Sequence, residues 1–223
     1  MKIEIKDLER SFGSGEAIIH AVKRCNLHIK EGTHLAITGS SGSGKTTLLN
    51  LIGGLDQPSS GSVLFDGQDL YQMNRDERAI FRRKNIGFVF QSYNLIPELT
   101  VKENIMVPLM LDGRNCDETF FEEISSVLQL SARLDAYPEE LSGGQQQRTA
   151  IARAIINKPS VILCDEPTGN LDKENSSQVA NLLLLVAERV CASLIIVTHE
   201  KTLAEKMGNT LIMDDGELGG DFL

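Results

Sequence analysis

At 223 residues with 41% apolar side chains, the chain holds enough material for one substantial core and one smaller lobe. Its 31 acidic residues outnumber 22 basic ones for a net charge of −9, which argues against a nucleic-acid partner, whose proteins carry a basic footprint. Cys25, Cys116, Cys164 and Cys191 are scattered, with neither the close pairing of a zinc site nor the density of a disulfide scaffold, and fit reduced thiols in a cytosol.

The N-terminus opens on strand-like alternation, Ile3 and Ile5 against Lys2, Glu4 and Lys6, so no targeting segment is expected there. A β-branched run predicts a buried strand over 34–38, and a helix follows over 45–52 until Gly53-Gly54 stops it. An edge-like run at 63–65 ends in an Asp-Gly turn, and a further buried strand is predicted at 86–90. Between Ser92 and Leu141 no equally strong strand signal occurs. Pro97, Pro108 and Pro138 break this segment, and 117–130 reads as helix. Helix 145–156 presents Ala150, Ile151, Ala154 and Ile155 on one face. Strand 161–164, helix 176–190, strand 194–198 and a second edge-like run at 211–213 complete the chain. The longest apolar-rich stretch, 179–187, is too short to span a bilayer, so a membrane role must come through a partner. Strands separated by helices predict an α/β fold with a mainly parallel sheet. The expected organisation is one domain, with a core from 1–91 and 142–223 and a mainly helical lobe from 92–141.

Gly39-Ser40-Ser41-Gly42-Ser43-Gly44-Lys45-Thr46 fits G-x-x-x-x-G-K-[ST], placed after a strand and opening a helix, as a P-loop requires. Its glycines let successive backbone N–H groups converge on phosphate oxygens, and the helix start adds partial positive charge. Lys45 reaches the β and γ phosphates of ATP, and the Thr46 hydroxyl serves Mg²⁺. A second feature is the apolar strand 161–164 ending in Asp165-Glu166: Asp165 is suited to hold Mg²⁺ and Glu166 to polarise a water, although adjacent acids after a strand are usually a solvated turn. Third, Ser142-Gly143-Gly144-Gln145 matches an S-x-x-Q capping box, while its two glycines leave backbone donors for a second anion site.

These three motifs, in this order, resemble the nucleotide-binding subunit of an ATP-binding cassette (ABC) transporter over essentially the whole chain. The resemblance implies a P-loop NTPase core with an antiparallel β subdomain at its edge and an inserted helical lobe. It implies ATP hydrolysis in a head-to-tail homodimer, each ATP lying between the P-loop of one copy (39–46, with Thr47) and Ser142, Gly143, Gly144 and Gln145 of the other. It also assigns Gln91 to Mg²⁺ and water, His199 to the γ-phosphate, Phe12 to the adenine ring and Asp172 to coupling across the dimer. Unaided, Phe12 reads as core and His199 as a surface residue. The runs 91–97 and 165–172 resemble more narrowly the cassettes of macrolide export, lipoprotein release and antimicrobial-peptide resistance. That match implies a permease partner with a large extracytoplasmic domain and a place on the inner face of the cell membrane. Cys164 departs from the larger aliphatic usual there.

The rivals are weaker. A GTPase would read guanine with N-K-x-D, and Asn157-Lys158-Pro159-Ser160 lacks the Asp. A small-molecule kinase explains neither Glu166 nor the 142–145 motif. A cassette ATPase regulating cell-envelope or division machinery, with no cargo, is the remaining alternative. The apolar groups of Tyr93, Leu95 and Ile96 are expected either to dock the membrane partner or to pack on the lobe's own core.

Overall fold

The computed structural model describes residues 1–13 and 17–219. In chain order the elements are β1 (Ile3–Phe12), β2 (Ile19–Ile29), β3 (His34–Thr38), α1 (Lys45–Ile52), β4 (Ser60–Phe65), β5 (Gln68–Asp69), α2 (Arg75–Asn85), β6 (Ile86–Val89), α3 (Val101–Asp112), α4 (Glu118–Val127), α5 (Gly143–Ile155), β7 (Val161–Asp165), α6 (Lys173–Arg189), β8 (Ser193–Val197), α7 (Lys201–Met207), β9 (Thr210–Asp214) and β10 (Glu217–Gly219). They divide into two compact units, Met1–Arg82 with Ser193–Leu223, and Arg83–Ala192.

In the first unit β3 pairs in parallel with β8 on one side and β9 on the other, and β10 adds antiparallel to β9. The continuous apolar stretches Leu35–Ala36–Ile37 and Leu194–Ile195–Ile196–Val197 are wholly buried, as expected of strands covered on both faces. A separate antiparallel sheet runs β2-β1-β4-β5. The runs at 63–65 and 211–213 are not sheet edges: β4 lies between β1 and β5, and β9 between β3 and β10. The Asp-Gly turns after them close hairpins instead. Asp66-Gly67 and Asp215-Gly216 all have positive φ, the primed-turn conformation whose twist suits tight hairpins. β2 is hidden in the sequence because its pairing with β1 shifts register three times, so that regular alternation survives only over Cys25, Leu27 and Ile29.

In the second unit β6 pairs in parallel with β7. Gly87 of β6 lies so close to α5 that a Cβ there would stand 2.3 Å from the Ala154 carbonyl oxygen. Residues 92–141 carry α3, α4 and two short 3₁₀ turns, 131–133 and 138–140. Pro108 does not break this region: it lies inside α3, which starts on a complete Thr100/Glu103 capping box and ends at Gly113 with φ +63. Buried Asn104 ties the preceding loop to α3. Its Nδ2 donates to the carbonyls of Ile96, Leu99 and Thr100, and its Oδ1 accepts from Ile96 N–H. Asp117 caps α4. No helix of the described residues is long and apolar enough to cross a membrane.

Candidate active site

In the first unit the glycine-rich loop joins β3 to α1. Gly39 and Gly44 permit close backbone approach: a Cβ on Gly39 would stand 2.0 Å from the Met213 carbonyl oxygen, and one on Gly44 2.0 Å from that of Ala21. Gly44 is the N-cap of helix α1, with φ +103 and no side-chain cap, and the first turn of the helix holds no acidic residue. A glycine at the cap thus offers the leading N–H groups no side chain, which favours anion capture there. The buried Lys45 folds back over the loop, its Nζ donating to the carbonyls of Gly39 (3.0 Å) and Ser40 (2.7 Å). Ser43 Oγ is buried there without a hydrogen-bond partner among the described residues, while Ser40, Ser41, Gly42 and Thr46 are exposed. Thr47, half-buried, is the third residue of α1.

Phe12 ends β1 and is exposed, so the core reading of this ring is corrected: it stands outside the alternation that buries Ile3, Ile5 and Leu8. The Arg10 guanidinium lies 4.3 Å from its centroid, held by a bidentate pair with Asp56. His199 is exposed just after β8.

In the second unit Asp165 ends β7, and half-buried Glu166 follows with φ +44, a left-handed conformation uncommon outside glycine and costly to hold. Gln91, exposed one residue past Phe90, meets the loop beyond Glu166: Asn170 Nδ2 donates to the Gln91 carbonyl at 2.9 Å, and Gln91 Nε2 reaches Asn170 Oδ1 at 3.4 Å. Asp172 is the N-cap of α6, accepting from the N–H groups of Glu174 and Asn175 and from Asn175 Nδ2. The Asn175 bonds, with the Glu174 N–H, hold its carboxyl below the usual Asp range.

Ser142 caps α5 and completes the box with Gln145: Ser142 Oγ accepts from Gln145 N–H at 3.3 Å, and Ser142 N–H donates to Gln145 Oε1 at 2.9 Å. The box engages the N–H groups of Ser142 and Gln145, which leaves those of Gly143 and Gly144 as the donors at this helix start. The two glycines also have a packing reason that spacing alone does not reveal. A Cβ on Gly143 would lie 2.9 Å from the Tyr93 hydroxyl, and one on Gly144 2.9 Å from Asn175 Oδ1. Tyr93 therefore packs against the 142–145 motif, Leu95 is half-buried, and of the three apolar side chains of this loop only Ile96 is exposed.

Sequence reading missed Arg153, whose Nη2 donates to the Tyr93 carbonyl at 2.7 Å where Tyr93 and Asn94 both have positive φ. It also missed Gln147, fully buried on α5, whose Nε2 donates to the Pro167 carbonyl at 2.7 Å. Both contacts join residues far apart in sequence, and no spacing rule marks them.

The ABC transporter family model matches residues 22–169, a span that takes in the P-loop, Ser142–Gln145 and Asp165-Glu166. The chain belongs to the ABC transporter family. It is similar to the lipoprotein-releasing system ATP-binding protein LolD of Geobacter metallireducens, with 44% identity over 98% of each chain. The macrolide export ATP-binding/permease protein MacB of Syntrophobacter fumaroxidans is 41% identical over 96% of this chain, which spans 30% of that longer protein. Among solved structures, the dimeric bacterial ABC transporter cassette MJ0796 superposes with a TM-score of 0.88 at 40% identity, covering 97% of this chain and 96% of that one. A post-hydrolysis state of the same cassette, with ADP and Pi, matches equally well. The chain is thus an ABC ATPase cassette of the lipoprotein-release and macrolide-export type, with the mixed α/β P-loop fold.

Proposed function

We propose that Mg·ATP lies along the loop 39–46 of one copy and is closed over by Ser142, Gly143, Gly144 and Gln145 of a second. The observation that carries this reading is the pair of helix starts, α1 and α5. Each is free of acidic residues in its first turn and offers backbone N–H groups, with a buried lysine at the first. An ammonium has three donors, and the two loop carbonyls leave Lys45 one for a phosphate oxygen. The orphaned Ser43 hydroxyl is a further group for the same anion. Thr47 adds an N–H in the first turn of α1, and Phe12 offers its exposed ring to adenine.

For Mg²⁺ the donor set fits. Thr46, Asp165 and the Gln91 amide supply hard oxygens, only one of them a carboxylate, a set that suits an ion completed by water and substrate phosphates. Bound there, magnesium would neutralise charge on the β and γ oxygens. Glu166 takes a proton from the attacking water, whose oxygen bonds to the γ-phosphorus as the bond to the β-phosphate oxygen breaks, giving ADP and phosphate. His199 contacts the γ-phosphate, and Asp172 couples the two sites across the dimer.

Closure and reopening move a permease with a large extracytoplasmic domain, on the cytoplasmic side of the membrane, through the helical lobe 92–141. The relatives named for lipoprotein release and for macrolide export, the latter an ATP-binding/permease protein, support a permease partner.

A mixing experiment tests the shared site. Lys45→Ala and Ser142→Arg chains are each inactive alone, and mixing them restores ATPase activity, because a mixed pair contains one site with both intact halves. No recovery on mixing, with both variants folded, contradicts the arrangement.

A further inference from the structure

Glu166 has φ +44 and is followed directly by Pro167, whose ring narrows the backbone choices of the residue before it. Such a conformation persists only where its surroundings hold it. Two of the bonds that hold the turn lie next to this residue: Gly169 N–H donates to the Glu166 carbonyl at 3.0 Å, and Gln147 Nε2 to the Pro167 carbonyl at 2.7 Å. The first bond is local. The second is a buried side-chain bond from a residue twenty positions away, on α5.

Gln147 is itself completely buried, and its Oε1 has no partner among the described residues, so this single bond is its polar anchor. Burying an amide for one bond is unfavourable in stability terms, since an apolar side chain of the same shape avoids the desolvation penalty. Gln147 also lies on the first turns of α5, two residues past the Gln145 that closes the cap. The helix start presenting Ser142, Gly143 and Gly144 is therefore tied to the turn that aims Glu166.

We propose that Gln147 is a positioning residue for hydrolysis: it sets the aim of the Glu166 carboxylate and passes to it the placement of the α5 helix start in the same chain. An anion captured at Ser142–Gly144 is thereby felt at the general base of the chain's own nucleotide. The inference rests on reading Glu166 as the group that polarises the attacking water.

Steady-state ATPase assays of the full chain test it. Gln147→Leu should lower kcat by about ten- to a hundredfold, the cost of a misaimed catalytic group, with KM for ATP unchanged. In a Glu166→Gln background the same change should add no further slowing, since it acts through that carboxylate. Gln147→Glu supplies an independent readout. Protonated, the new carboxyl donates to the Pro167 carbonyl as the amide did, and ionised it repels it. This variant should run near the wild-type rate where the carboxyl is protonated and slow as pH rises through its pKa. An unchanged kcat in Gln147→Leu, slowing that multiplies with that of Glu166→Gln, or a Gln147→Glu chain equally slow at every pH overturns the inference. Full turnover in Glu166→Gln alone overturns the carboxylate reading beneath it.

Discussion

Lys45 serves structure through the same ammonium that is proposed to meet phosphate. Its ammonium is buried at the P-loop and bonded to two carbonyls of that loop, so the charge that a triphosphate would meet is already fixed in place. Lys45→Ala should weaken ATP binding by about 1.5–3 kcal/mol, roughly ten- to a hundredfold in Kd, which calorimetric titration would measure. An unchanged Kd would remove Lys45 from the phosphate site. The loop itself was legible in the sequence because all of its information is contiguous: glycines, lysine and threonine at fixed spacing between a strand and a helix. Glu166 was legible as a carboxylate directly after a buried strand, and the structure has it immediately past the end of β7. Its positive φ was not, because the turn around it is tied by Gly169 and by Gln147, which bonds the Pro167 carbonyl from twenty residues away.

At the scale of single elements, capping decides where helices begin. The Ser142/Gln145 box readable in the sequence is formed, yet α5 starts at Gly143, two residues before the apolar periodicity suggests. α6 likewise starts at Lys173, because Asp172 caps it. Since the folded-state pKa of Asp172 is depressed, its contribution to stability is complete above the unfolded-state value of about 4 and is lost as pH falls through the folded value. Asp172→Asn keeps a capping oxygen without the charge. It should flatten the acid limb of a Tm-against-pH profile below about pH 5, and an identical limb would refute the assignment. α3 was illegible for the opposite reason: Pro108 reads as a breaker, whereas the Thr100 box and the buried Asn104 hold the helix around it. Asn104→Ala strands three loop carbonyls and one N–H. It should cost about 2–4 kcal/mol in urea unfolding, and a loss within the range of ordinary surface changes, below about 0.5 kcal/mol, would show that the loop 96–100 needs no such tie.

For the whole molecule, buried parallel strands announced the α/β class through their uninterrupted apolar runs, whereas the antiparallel sheet was only half visible. Its strand β2 pairs through bulges that scramble the two-residue period. Nor does the sequence show which surfaces meet, because the two helix starts proposed to bind anions lie nearly a hundred residues apart and the proposed site unites them only between two copies. Glu166→Gln, which should retain nucleotide while slowing its cleavage by about a hundredfold, makes that union measurable. Sedimentation velocity of this variant with Mg·ATP should give a species of twice the monomer mass that Ser142→Arg abolishes. A chain that binds ATP and remains monomeric at every protein concentration would contradict the account.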